Sequence, residues 1–150
     1  IFFTINLMSR AAPVAKGGKL LPVLPPETTN RLTHPADIGE CVAELLINEE
    51  RKGREYFLTG PAVTMGDVAS TISEVVGKDV VYVQVTPDVA RQAMVEKGMP
   101  EWLINHSGAM MGFVAENSMG HETDWVEELT GHAPRTLEDW VRGAQMAFIG

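Results

Sequence analysis

The stretch Tyr56-Phe57-Leu58-Thr59-Gly60-Pro61-Ala62-Val63-Thr64, followed by Val68-Ala69-Ser70-Thr71-Ile72-Ser73-Glu74-Val75-Val76-Gly77, decides the fold class. Glu55 to Leu58 reads as a strand, which Gly60-Pro61 breaks. Thr64 offers an N-cap oxygen, and Asp67 three residues on gives a near capping-box spacing. Met65, Val68, Ala69, Ile72, Val75 and Val76 then recur at helical intervals. Gly77 suits the left-handed conformation that ends helices. Val80 to Val85 carries enough β-branched residues for a largely buried strand. Strand, turn, capped helix, glycine stop and strand together predict an α/β arrangement.

Upstream, Phe2 to Ala15 can form a helix with Phe3 and Leu7 on one face, ended by Gly17-Gly18. Pro13 is tolerated there only near the end or at a kink. Leu20 to Leu24 is a short strand candidate before Pro25-Pro26, and Pro35 holds Arg31 to His34 extended. Pro35 to Ile47 is a helix whose stripe is Ile38, Val42, Leu45 and Leu46, with Cys41 beside it. After Thr86-Pro87 only helices are expected. One runs to about Lys97, and one from Pro100 holds Trp102, Met110, Met111 and Phe113. A short one is capped by Thr123, and the last, capped by Thr136, buries Leu137, Trp140, Val141, Ala144 and Phe148. The expected organisation is therefore α/β over 1–86 and a helical lobe over 87–150. Helices separate the two or three strands, so the sheet should be mainly parallel.

At 150 residues, 45% apolar and 21% charged, the chain has the composition of one soluble globular domain. No apolar run approaches the roughly 20 residues of a membrane span, and no secretory leader is evident. The single Cys41 forbids an internal disulfide and suits a reducing cytoplasm. Ile1 opening directly into Phe2-Phe3 suggests a chain cut from something larger. The net charge of −8 is uneven. Arg10, Lys16, Lys19 and Arg31 stand against Glu27 alone, so residues 1–34 carry +3 and the remainder −11. An acidic body argues against nucleic acid as a partner. The basic front end can face an anionic ligand such as a nucleotide; solvated side chains are the simpler reading.

Chemistry-bearing motifs are few. Gly17-Gly18-Lys19 lacks the spacing of a phosphate-cradling loop, and no G-x-x-x-x-G-K-[ST] occurs. Neither Tyr56 nor Tyr82 has a Lys four residues on, so the Tyr-x-x-x-Lys proton-transfer pair is missing. His34, His106, His121 and His132 do not pair at helical spacing, which leaves a metal site without support. His34 reads as structural, and His121 as a solvated loop residue beside carboxylates. Cys41 reads as a small buried hydrophobe. Trp102, Met110, Met111 and Phe113 are either the walls of an apolar pocket or helix-packing core.

Four segments in order resemble NmrA-like proteins, the atypical short-chain dehydrogenase/reductases that bind NAD(P) on a Rossmann domain. They are Phe3-Thr4-Ile5-Asn6, His34-Pro35-Ala36-Asp37-Ile38, Leu58-Thr59-Gly60-Pro61 and Thr130-Gly131-His132-Ala133-Pro134-Arg135-Thr136. In the last, His132 stands where the family pattern has Arg. The resemblance implies part of a Rossmann-like sheet plus a substrate-side helical lobe, without the half that holds the cofactor's phosphates. It implies that Phe3 and Asn6 border the nicotinamide of NADP or NAD. Phe2, Trp102, Met110 and Phe113 would then line the substrate. The function so implied is the substrate-side half of an NAD(P)H-dependent oxidoreductase acting on a small apolar electrophile, a quinone or carbonyl compound. Two other readings stay open. One is a non-catalytic NAD(P)-sensing regulator; the other is a stand-alone binding or dimerisation module, for which a homodimer is the expected state.

Overall fold

The computed structural model describes residues 2–116 and 121–149, with Phe2 and Phe3 described by their backbone. The first elements are β1 (Phe2–Phe3), a tight 3-10 helix (Thr4–Arg10), α1 (Ala11–Gly17) and β2 (Lys19–Leu20). β3 (Thr29–Thr33) and α2 (Pro35–Ile47) follow, then β4 (Ala62–Thr64), α3 (Met65–Val76) and β5 (Val81–Tyr82). Four helices complete the chain: α4 (Pro87–Glu96), α5 (Glu101–Glu116), α6 (Trp125–Thr130) and α7 (Leu137–Ile149). The fold is α/β and mostly helical, with a small, mainly parallel sheet system.

β3 is the hub of one sheet. It runs parallel to β1, with Phe2 opposite Leu32, and antiparallel to β4, with Asn30 opposite Val63. A second pair, β2 and β5, is parallel, with Leu20 opposite Tyr82. Its ladder continues where Val83 N donates to Leu20 O at 2.9 Å and Val85 N to Pro22 O at 2.9 Å. Gly18 makes the entry to β2 possible: it adopts φ +59°, and a Cβ there would lie 2.9 Å from Asp79 O.

The structure shifts two of the expected elements. The opening helix starts later than Phe2, because the backbone of Phe2 and Phe3 pairs with β3. The strand expected at Glu55 to Leu58 lies instead at Ala62–Thr64. Gly60 explains the shift. It presses so closely on β3 that a Cβ would stand 2.0 Å from Leu32 O, and laddering begins only beyond Pro61.

The stripe expected on α2 is only half realised: Val42 and Leu46 are 47% and 71% exposed, and the helix buries Asp37 and Cys41. Other local signals hold. α3 is closed by a full capping box, Thr64 Oγ1 accepting from Asp67 N at 3.0 Å and Asp67 Oδ2 from Thr64 N at 2.8 Å. Gly77 ends it at φ +66°. Thr136 and Asp139 make the same exchange ahead of α7. Thr123 does not cap α6; Asp124 occupies that position without a side-chain bond.

The main core joins Leu7 and Val14 to Leu20, Leu32, Val68, Ile72, Trp140, Val141 and Phe148. Phe148 is fully buried and meets Trp140 edge-on, ring centroids 6.1 Å apart. Each such side chain contributes roughly 1.5–3 kcal/mol by leaving water. α7 therefore packs on α1 and α3. A second cluster seats α6 on α2 through Cys41, Val126 and Leu129. α4 and α5 pack on each other.

Candidate functional site

Two of the recognised motifs meet in space as a clamp. Pro35 opens α2, and His34 Nδ1 caps it by accepting from Ala36 N at 3.0 Å. This places Asp37, fully buried, against the loop before α7. Asp37 Oδ2 accepts from Arg135 N at 2.9 Å, and Oδ1 accepts from Arg135 Nη1. Arg135 Nη2 donates to Glu40 Oε1 at 2.6 Å, and His132 Nε2 lies 2.7 Å from Glu40 Oε2. Hydrogen bonds from His132 and Arg135 hold the Glu40 carboxyl below the usual carboxylate range, and Glu40 raises His132 in turn. With every charge partnered, this network joins elements and leaves no group poised for chemistry.

A second junction fixes the Leu58-Thr59-Gly60-Pro61 segment. Thr123 N donates to the buried Thr59 Oγ1 at 3.0 Å, and Thr123 Oγ1 donates to Phe57 O. Nearby, Arg31 Nη2 donates to Glu122 Oε2 at 2.9 Å.

The concave feature of interest is a cleft of about 450 Å³ opening beside the 3-10 helix. Leu20, Leu24, Leu32, Met65, Met110 and Met111 give it apolar walls. One edge is polar: Asn6, Ser9 and Arg10, all on the 3-10 helix. Ser9 Oγ donates to Asn6 O at 2.9 Å. Arg10 Nη1 donates to Leu21 O at 3.0 Å, and burial lowers the Arg10 pKa, with nearby Tyr82 opposing. A second cavity of about 490 Å³ lies under α4 and α5 and shares Val23, Leu24 and Met111 with the first.

Neither tyrosine is free to serve as a proton donor. Tyr82 Oη donates to Leu24 O, and burial pushes its pKa up to about 12. Tyr56 Oη donates to Arg51 O at 2.9 Å, with its ring edge-on to Trp125. Cys41 is buried, and burial, then Asp37 and Glu40, pushes its thiol up, away from the reactive thiolate form.

No protein-family profile matches the chain. Prestalk A differentiation protein A of Dictyostelium discoideum is 27% identical over 107 residues, covering 71% of this chain and 36% of that protein. An NAD(P)H azoreductase of Xenophilus azovorans is 27% identical over 148 residues, covering 98% of this chain and 51% of that one. The NADPH-dependent quinone oxidoreductase QOR2 of Escherichia coli, solved with NADPH, superposes with a TM-score of 0.82 at 19% identity, over 96% of this chain and 51% of that one. The chain has the fold of the C-terminal half of the NmrA-like reductases. It spans between 36% and 51% of the length of these curated relatives.

The expected site residues fall into three groups. Asn6 and Met110 line the same cleft. Trp102 and Phe113 lie on α5, are 69% and 58% exposed, and line neither cavity. Phe2 and Phe3 form β1, and their side chains lie outside the described part of the structure. His121 is exposed in the loop ahead of α6.

Ser9 and Arg10 were not singled out from the sequence. A signal existed: Arg10 is the single charged side chain among the first fifteen residues, embedded in an apolar run. Among the described residues, no helix is long and apolar enough to cross a membrane, and no three His, Cys, Asp or Glu cluster as metal ligands.

Proposed function

We propose that this cleft is the acceptor side of an NAD(P)H-dependent reductase whose substrate is a small apolar electrophile of the quinone or azo type. The observation that carries the reading is the cleft itself, apolar-walled with one polar edge and of a size that suits a small molecule. Its setting in the fold of a quinone oxidoreductase solved with NADPH, and the likeness to an NAD(P)H azoreductase, support the cofactor and substrate class.

The residues present fit one end of the cofactor. The exposed Asn6 amide makes no side-chain hydrogen bond among the described residues, so it can pair with a carboxamide as donor and acceptor. No glycine-rich loop fits the pyrophosphate. When bound, the nicotinamide supplies the hydride. The chain's own part is to bind and exclude water: Asn6 and Phe3 border the nicotinamide, and Phe2 and Met110 flank the acceptor. Trp102 and Phe113 would take part with a larger acceptor extending over α5. α4 and α5 form the substrate-side cover.

The test is NADPH oxidation by the full-length gene product, with a naphthoquinone and an azo dye as acceptors. Asn6→Ala should raise KM for NADPH, and Met110→Ala should raise KM for the acceptor. Turnover indifferent to both changes would refute the assignment. A second reading, a non-catalytic NAD(P)-sensing regulator, is favoured by the commitment of both tyrosine hydroxyls to backbone carbonyls. Tight NADPH binding with no turnover across quinones, azo dyes and aldehydes would establish it.

A further inference from the structure

The cleft's polar edge holds an imbalance that its walls do not explain. Arg10 is the one charged residue lining it. Its guanidinium is half-buried and donates once, from Nη1 to Leu21 O at 3.0 Å. Among the described residues none of the ion pairs involves it, although the chain carries 20 carboxylate side chains. Tyr82, whose charge state acts on Arg10, has its hydroxyl committed to Leu24 O and stays neutral.

A guanidinium presents five donors in a planar fork that matches an oxyanion, and most of this fork is unused. Apolar walls weaken solvent screening, so an anion arriving beside Arg10 is attracted more strongly than it would be in water. Part of the cost of desolvating the cation is already met in the fold, so an anion arriving there gains more than it would beside a fully exposed arginine.

We propose that Arg10 makes the cleft a receptor for an aromatic ring system bearing an anionic oxygen: a sulfonate, carboxylate or phenolate. The rings rest on Met65, Met110 and Met111, and the oxyanion takes the free edge of the guanidinium. Naming such a molecule the electron acceptor rests on the function proposed above; its binding does not.

The test uses the 150-residue chain and two fluorescent probes with the same rings: anilinonaphthalene sulfonate and its uncharged parent, N-phenylnaphthylamine. Arg10→Gln keeps a donor for Leu21 O and removes the charge; Arg10→Lys keeps the charge. Arg10→Gln should weaken the sulfonate probe on the order of tenfold, the weight of one charge-assisted hydrogen bond. Arg10→Lys should retain most of the affinity, and the neutral probe should bind all three proteins alike. Equal effects on both probes, or none on either, overturn the proposal. If the Gln variant loses its helical circular dichroism, the Lys variant decides: binding of the sulfonate probe as weak as that of the neutral one overturns the proposal. Inorganic pyrophosphate is the competing arm. Displacement of the sulfonate probe by pyrophosphate at equal concentration would show a phosphate site and overturn the proposal as well. Loss of the probe contrast with NADPH turnover intact refutes this inference alone; the contrast without turnover in the full-length protein refutes the reductase reading alone.

Discussion

Cutting the clamp between α2 and the loop before α7 should be among the most costly single changes available in this chain. Asp37→Ala removes two hydrogen bonds to a buried carboxylate, one from Arg135 N at 2.9 Å and one from Arg135 Nη1. Bonds to charged groups are each worth about 1.5–3 kcal/mol. Arg135 is 32% exposed and keeps Glu40, so solvent and that partner recover part of the loss. The expected net cost is about 3 kcal/mol, near the lower end of the range for a broken buried pair. Arg135→Met should cost more, about 4 kcal/mol, because it leaves the fully buried Asp37 without a cation and with only the backbone N–H of residue 135, while the reverse change leaves a cation that can turn to water. At about 2–4 °C per kcal/mol for a chain of this size, Asp37→Ala should lower Tm by roughly 10 °C. Urea denaturation with an unchanged m-value reads the same quantity. A loss below about 1 kcal/mol for Asp37→Ala, or Arg135→Met proving the milder change, would refute the reasoning.

Two further outcomes follow from the same geometry. Glu40 raises the folded-state pKa of His132, so their contribution is complete below histidine's ordinary value and fades as pH rises through the raised one. The lowered Glu40 carboxyl contributes above its ordinary range and loses that contribution as pH falls through the lowered value. The urea midpoint should therefore decline from mildly acidic toward alkaline pH, and His132→Gln should flatten that limb; parallel profiles for the two proteins would count against the link. Gly60→Ala would drive a methyl group to within 2.0 Å of Leu32 O and force β3 away from the 57–61 segment. A cost of about 3 kcal/mol is expected from such overpacking, and a midpoint matching the parent protein would show that the contact is looser than described.

Much of the architecture was legible because it is written locally. The capping box at Thr64 and Asp67, the glycine at the end of α3 and the Thr136 cap of α7 all concern neighbours within four residues. The misplaced strand fails for the opposite reason. Glu55 to Leu58 has strand composition, but Phe57 O and Thr59 Oγ1 are engaged by Thr123, more than sixty residues away. The same holds for the motif at Thr130 to Thr136: it and the His34 to Ile38 segment were each legible as a resemblance, but the pairing of Arg135 with Asp37 was not. At the cleft, Asn6 and Met110 emerged from the sequence, whereas Arg10 was one of four basic residues in a charge count. What sets it apart is which carboxylates fail to reach it, and that is decided by tertiary distance alone.

The placement of α7 has a consequence for synthesis. Trp140, Val141 and Phe148 fill the same core as Leu7 and Val14, and Lys78 Nζ reaches Ile149 O at 2.7 Å. A ribosome that has released the first helix must add more than a hundred further residues before that core can close. At about 5–20 residues per second this leaves α1 and α3 waiting on the order of ten seconds, their apolar faces open to water or to a chaperone. Closure of the main core is thus bound to the arrival of α7, and a stall anywhere before Trp140 would leave that core open, with at most the α2–α6 cluster complete.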